Sequence, residues 1–400
     1  MSAILPAQPS RGLILQWRGT RFYIDTILLL TALALLLFGY VMVASASLHL
    51  GDKLADDSFY FPRHQLVHIA LGLLVGISAA TVRLETWREI SLPLYFAGLL
   101  LLLLVLIPGI GKVVNGSSRW INLLGLRIQV SELFKLIAVI YMASFIDRHI
   151  TVVQTSVQGM LRPFLLLGIA ALLLLKEPDF GATAVIMAVA LGMLFLAGAS
   201  LWQFGALIGV FIAAGAMLIL TAEYRLRRVL SFIDPWDDPL NTDFQLSQAL
   251  IAFGRGEWSG VGLGSSVQKM FYLPEAHTDF LFSVIGEELG LAGTTAVILL
   301  FMVLVWRAFV IGRLAEECGT RFSAFLAYGI GVWFGLQAFI NMGVNMGLLP
   351  TKGLTLPLMS YGGGSIMVMC AALAILFRVR SEAVAAVSSK PRVKAAWAGV

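Results

Sequence analysis

Charge is scarce in this chain: Asp, Glu, Lys and Arg make up 13% of its 400 residues. A soluble domain carries roughly a quarter. The deficit excludes an ordinary water-soluble globule, because the 59% hydrophobic fraction gathers in apolar blocks with few charges. Blocks of roughly 18 residues or more are long enough to cross a bilayer as helix. Cysteine is nearly absent. Cys318 and Cys370 lie far apart, so neither a disulfide framework nor a zinc cluster is expected and both are read as unpaired. A nucleotide-binding signature is missing as well. The glycine run GRGEWSGVGLG lacks a strand–turn–helix context and reads as hinge or close-packing sequence. The first apolar block has no small-residue cleavage pattern, so it is expected to stay as an anchor. The formal charge of +5 therefore reflects loop bias and anionic lipid headgroups, not nucleic acid.

What remains is an all-α polytopic membrane protein. Ten spans are expected, over 25–47, 64–82, 90–108, 130–147, 161–176, 179–198, 201–221, 280–306, 322–349 and 355–378. They form one membrane domain, 25–378, between a polar tail, 1–24, and a basic, Ala-rich tail, 379–400, read as disordered. Lys and Arg set the orientation. Arg11, Arg18, Arg21, Arg83, Arg88, Arg148, Arg162, Arg307, Arg313, Arg321, Arg378 and Arg380 all fall on the side of the termini, which is therefore read as cytoplasmic.

The connection at 223–279 is several times longer than its neighbours, which marks it as a lid or a site. On the derived orientation it lies outside. Phe244, Leu246, Ala249, Leu250 and Phe253 predict a short amphipathic helix in the interface. Pro274 is read as the first helical residue of the eighth span, which would put Glu275 and Asp279, at i and i+4, on one face.

Charges inside spans are costly and call for a reason. Glu132 and Lys135, at i and i+3, can pair, either to hold helices together or to touch substrate. Asp179 can cap the helix that follows the Lys176–Pro178 turn. Glu287 and Glu288 point about 100° apart on a helix, so at least one is expected to hydrogen-bond within the bundle. SYGGGS is read as a glycine break in the tenth span.

The outer-face groups collect as Arg119, Arg225, Arg227, Arg228, Lys269 and Lys352, with carboxylates at Glu275 and Asp279. Cations above an apolar bundle suit a phosphate-bearing lipid. A carboxylate where water meets lipid is partly desolvated, which raises its pKa toward the range of a general base. Asp279 is the preferred base and Glu275 the orienting group; His277 is read as structural. With no nucleotide site in view, an activated lipid has to supply the energy.

The stretches GVGLGSSVQKMFYLPEAHTDFLFSVIGEELG, LLPTKGLTLPLMSYGGGS, SSRWINLLGLRIQVSELFK and EPDFGATAV closely resemble the SEDS family (shape, elongation, division and sporulation proteins), nearest its division members. The likeness covers nearly all of the hydrophobic region. It implies a ten-span fold with cytoplasmic termini in the bacterial inner membrane, at the division septum. It also implies a peptidoglycan glycosyltransferase that polymerises lipid II into glycan strands on the outer face. The family's essential acid falls on Asp279, its PTKG lysine on Lys352, its arginine before Trp on Arg119, and its SE..K stretch on Ser131, Glu132 and Lys135. Val130 departs from the family pattern, which commonly has proline there. The implied partners are a class B penicillin-binding transpeptidase (FtsI-like) and other division proteins. A divalent cation, Mg2+ or Mn2+, could help hold the diphosphate, although no protein metal site is visible. The competing readings are a lipid II flippase, which ten spans and broken helices also fit, and a division scaffold.

Overall fold

The computed structural model describes residues 13–17, 20–114, 117–123, 126–221, 223–237, 244–351 and 353–389. Lys352 and the 390–400 segment lie outside the described residues, as do the side chains of Arg225 and Arg228. The chain is mostly helical. Among the described residues, eight helices are long and apolar enough to cross a membrane: α1 (Thr26–Ala55), α2 (Tyr60–Thr81), α5 (Val130–Thr155), α6 (Val157–Lys176), α8 (Leu201–Leu220), α11 (Leu281–Glu317), α12 (Arg321–Asn345) and α13 (Gly363–Ser389). Two shorter apolar helices, α4 (Ser91–Val105) and α7 (Phe180–Leu196), stand where the third and sixth spans were expected.

Not everything is helix. A hairpin, β1 (Leu13–Trp17) and β2 (Thr20–Ile24), packs on α13, with the Tyr23 amide donating to Ser381 Oγ at 3.2 Å. An antiparallel meander of β3 (Gly111–Val114), β4 (Ser117–Leu123) and β5 (Leu126–Gln129) separates α4 from α5. The all-helical expectation missed both, because strands this short carry little periodic signal. The short α3 (Leu84–Glu89) links α2 to α4.

Three boundaries differ from the sequence reading. The last helix starts at Gly363, so SYGGGS begins that helix instead of breaking it, and 353–362 approaches it without helix. The same helix runs on to Ser389, where a disordered tail was expected to have begun. Buried Val379, Ala383 and Val384 give the extension its packing. At the other site, residues 274–280 form turns and α11 starts at Leu281. Glu275 has φ +57, a left-handed backbone that no helix interior accepts. Glu275 and Asp279 therefore do not share a helical face. Val130, in the place of the family's proline, is the first residue of α5.

The long connection is folded. It holds α9 (Glu223–Ile233) and the expected amphipathic helix, α10 (Phe244–Gly256). On its apolar face α10 buries Leu246, Ala249 and Ala252, and it packs on α11 and α12. Within the glycine run, Gly256 and Gly260 are close-packing positions. Any Cβ on Gly260 (φ +79) would lie 2.1 Å from the Glu288 carbonyl oxygen. This contact comes with a break in α11 at Gly290 (φ +60, ψ −156). The groups freed by the break find partners in the inserted loop. Val261 and Gly262 amides donate to the Glu287 and Glu288 carbonyls, both at 3.0 Å, and Leu291 and Ala292 amides donate to Glu257 and Trp258 at 2.9 and 3.2 Å. With these four groups satisfied, a broken helix is tolerable in an apolar bundle.

Candidate active site

At one end of the bundle the 274–280 turn meets the ends of α5, α6, α7 and α12. Asp279 is anchored by its backbone. Its carbonyl accepts from Asn341 Nδ2 and Asn345 Nδ2, each at 2.9 Å, and both asparagines project from α12. Asn341 Nδ2 also donates to the Leu354 carbonyl at 2.6 Å, and Asn345 Oδ1 accepts from Ser283 Oγ at 2.8 Å. The turn, the 353–362 segment and the start of α11 are thus tied to one helix. The Asp279 side chain is left over. It is half-buried, and among the described residues its carboxylate accepts no hydrogen bond. A Cβ on Gly353 would lie 3.1 Å from its Oδ2, so the chain at Gly353 passes directly alongside.

Electrostatics make this carboxyl unusual. Loss of water around it, then repulsion from Glu275, pushes its pKa up to about 7; Arg119 opposes the rise, and Glu132 and Asp179 add to it. A group titrating there can both take and return a proton near neutral pH.

Of the expected site residues, Arg119, Glu275, Glu132 and Asp279 gather at this end. Arg119, on β4, reaches the α6–α7 turn, donating from Nε to the Glu177 carbonyl (3.1 Å) and from Nη2 to that of Pro178 (2.5 Å). Glu275 accepts from Thr278 Oγ1 at 2.8 Å and is exposed. Glu132 and Lys135 pair at 2.7 Å and are nearly sealed from solvent. Lys135 also donates to Gln337 Oε1 at 2.7 Å, and Glu132 accepts from Ser365 Oγ at 3.3 Å. The pair clamps α5 to α12 and α13. Asp179 caps α7 as expected, accepting from the Ala182 amide at 3.1 Å, and also accepts from Ser131 Oγ at 2.8 Å.

Lys269 is a correction. Read as an outer-face cation for phosphate, it is buried and pairs with Glu288 at 2.7 Å, with Ser45 of α1 completing the group. Glu287 is equally enclosed, accepting from Ser266 Oγ at 2.5 Å and from the amides of Val267 and Gln268. Both glutamates, not just one, are therefore committed inside the fold. His277 packs between Phe61 and Tyr361, with ring centroids at 4.9 and 5.4 Å, and burial lowers its pKa.

Sequence reading missed Gln337, Asn341 and Asn345. Their signal was present, as polar residues at i, i+4 and i+8 on an otherwise apolar helix, which places all three on one face. It also undervalued Glu177. That carboxylate is buried with neither oxygen partnered among the described residues, and burial followed by repulsion from Asp179 raises its pKa to about 8.

Known proteins align with this arrangement over most of its length. The chain is 71% identical over 391 residues to the probable peptidoglycan glycosyltransferase FtsW of Methylococcus capsulatus, covering 98% of both chains. It is 59% identical over 362 residues to the protein of that name from Methylomonas methanica, covering 90% of this chain and 93% of the relative. Among solved structures, one chain of a peptidoglycan synthase complex that coordinates polymerization and crosslinking superposes with TM-score 0.71 at 28% identity, over 92% of this chain and 99% of that one. The rod shape determining protein RodA of Thermus thermophilus gives 0.65 at 26% identity, over 89% and 96%. Residues 25–384 match the family model of cell cycle proteins that takes in FtsW, RodA and SpoVE, and the chain belongs to that family.

Proposed function

We infer that the chain is a peptidoglycan glycosyltransferase and propose that it polymerises lipid II with Asp279 as general base. The carrying observation is the Asp279 carboxyl group: anchored through its backbone, without a hydrogen bond at its oxygens among the described residues, and raised to about 7. The base takes the proton of the acceptor sugar's 4-hydroxyl as that oxygen attacks the donor's anomeric carbon. The bond from that carbon to the diphosphate oxygen breaks with inversion, and undecaprenyl diphosphate leaves with the electron pair. Cations hold the developing charge best where water is excluded. Arg119, next to the Asp279 turn, is the nearest described candidate, with Lys352 of the segment between α12 and α13, and Arg225 and Arg228 of the long connection, as the further ones. Among the described residues no three His, Cys, Asp or Glu side chains converge to hold a metal. Mg2+ or Mn2+ would have to take most of its ligands from the diphosphate and water, so none of these steps runs through it.

The ten apolar helices are proposed as ten spans, with the Asp279 end outside the bacterial inner membrane and both termini in the cytoplasm. The bias of Lys and Arg toward the termini's side supports this orientation. A class B penicillin-binding transpeptidase is the proposed partner at the septum, in keeping with the superposition on one chain of a peptidoglycan synthase complex. The test is lipid II polymerisation by purified protein, with and without the transpeptidase, comparing wild type with Asp279→Ala. Glycan chains from wild type alone, or from the pair, and none from the variant are expected. Equal polymer from the variant removes Asp279 from the role. Lipid movement across vesicles without any glycan would instead favour a flippase.

A further inference from the structure

At the opposite end of the bundle, past the far end of the 37-residue α11, lies a polar cavity of about 510 Å³. It is an open cavity lined by the start of α3, the later part of α5, the α11–α12 turn and α13. Four arginines face three carboxylates there. All three carboxylates are already engaged. Arg88 pairs with Glu85 at 3.0 Å and with Asp147 at 2.7 Å, and Arg378 pairs with Glu382 at 2.6 Å. Arg83 and Arg321 have no acidic partner among the described residues, so the cavity holds uncompensated positive charge.

The N-terminus of α12 opens into the same space. Thr320 caps it without a side-chain hydrogen bond. The first turn's own bonding begins with the Ala324 amide donating to the Thr320 carbonyl at 3.0 Å, which leaves the amides of Arg321, Phe322 and Ser323 without partners among the described residues. An uncapped helix start favours anions through its dipole and its free N–H groups. A polar side chain also lines the space. Ser323 is only 7% exposed and lines the cavity, yet its hydroxyl makes no hydrogen bond among the described residues. The hydroxyl of this otherwise buried residue therefore faces the cavity and is available to a ligand there.

We propose that this cavity binds a phosphate group, held by the α12 N-terminal amides, the Ser323 hydroxyl and the guanidinium groups of Arg321 and Arg83. A phosphate offers the several acceptor oxygens that three amides, a hydroxyl and two planar forks can address together. It can come from a soluble phosphate ester or from a lipid headgroup, since the cavity lies at the bundle's end. On the proposed orientation this is the cytoplasmic side, but the binding claim does not depend on Asp279 or on polymerisation.

Hydrogen–deuterium exchange of the full chain in nanodiscs tests it. Inorganic phosphate is compared with chloride at equal ionic strength, in phosphatidylcholine discs with and without phosphatidic acid. At a phosphate concentration ten times Kd, exchange across 321–324 should slow about tenfold, while the Asp279 turn is unchanged. Ser323→Ala should weaken the effect, and the double variant Arg83→Gln with Arg321→Gln should remove it. Protection by dissolved phosphate identifies a soluble ligand; protection only with phosphatidic acid identifies a lipid headgroup. No protection in either, or equal protection in the double variant with an unchanged melting temperature in chloride, overturns the proposal. Should the double variant not fold, the Ser323→Ala arm decides, and undiminished protection there overturns it.

Discussion

Asp279 and Glu288 stand at either end of the first turns of α11, and their surroundings could hardly differ more. Glu288 is fully buried and saturated, with Lys269 at 2.7 Å, the Ser45 hydroxyl at 2.8 Å and the Ser266 amide at 3.4 Å. Asp279 has its backbone carbonyl doubly bonded and its carboxylate left without a partner among the described residues. One acid is spent on holding α1, the long connection and α11 together. The other is held in place and kept available. A charge whose bonds are all made inside the fold supports structure, whereas a positioned but unsatisfied one is ready for a substrate.

The largest expected effect breaks the available acid. Asp279→Asn should lower polymerisation in a purified lipid II assay by about 10²–10⁴-fold, the usual worth of a general base, with helix content unchanged. The converse change breaks the saturated acid. Glu288→Ala strands Lys269 in the interior and should cost about 3–5 kcal/mol, read as lower yield and melting temperature. The protein that still folds should retain polymerase activity. Equal loss of activity per folded molecule in both variants would erase the contrast.

The pH dependence sharpens it. Polymerisation should rise with pH through about 7 as Asp279 ionises. Arg119→Gln should move that limb to higher pH, because Arg119 holds the value down. Stability should run the other way. A carboxyl whose folded value exceeds its ordinary 3.8 binds its proton more tightly in the folded chain. Ionising it therefore removes stability between about pH 4 and 7. Asp279→Asn should melt above wild type at pH 8, and the gap should close as pH falls toward 4. The smallest effect is expected from Gly353→Ala, whose methyl would sit 3.1 Å from Asp279 Oδ2. A loss of a few-fold in kcat, with little change in melting temperature, would place the 353 segment against the reacting group.

Much of this was legible early. Long apolar blocks gave the helices, and Glu132 and Lys135 at i, i+3 gave their own pairing, as the 2.7 Å contact bears out. Asp179 announced its cap by standing ahead of an apolar run. What escaped was set by distant partners. Lys269 looked like a surface cation because it lies in the long connection; its partner Glu288 lies 19 residues on, and Ser45 lies 224 residues back. The Pro274 helix start failed for a similar reason, since the following residues turn to meet Asn341 and Asn345 and not to continue α11.

The sequence alone determined that this is a bundle of apolar helices with an unusually long polar connection, because hydrophobic length is a local property of the chain. It also singled out Asp279 through its surrounding words. Only the tertiary structure decided which of the acids near α11 are consumed by the fold and which stays open. Desolvation and hydrogen bonding depend on what packs against a group, and for these carboxylates the deciding partners come from α1, α12 and the loop laid across the break at Gly290.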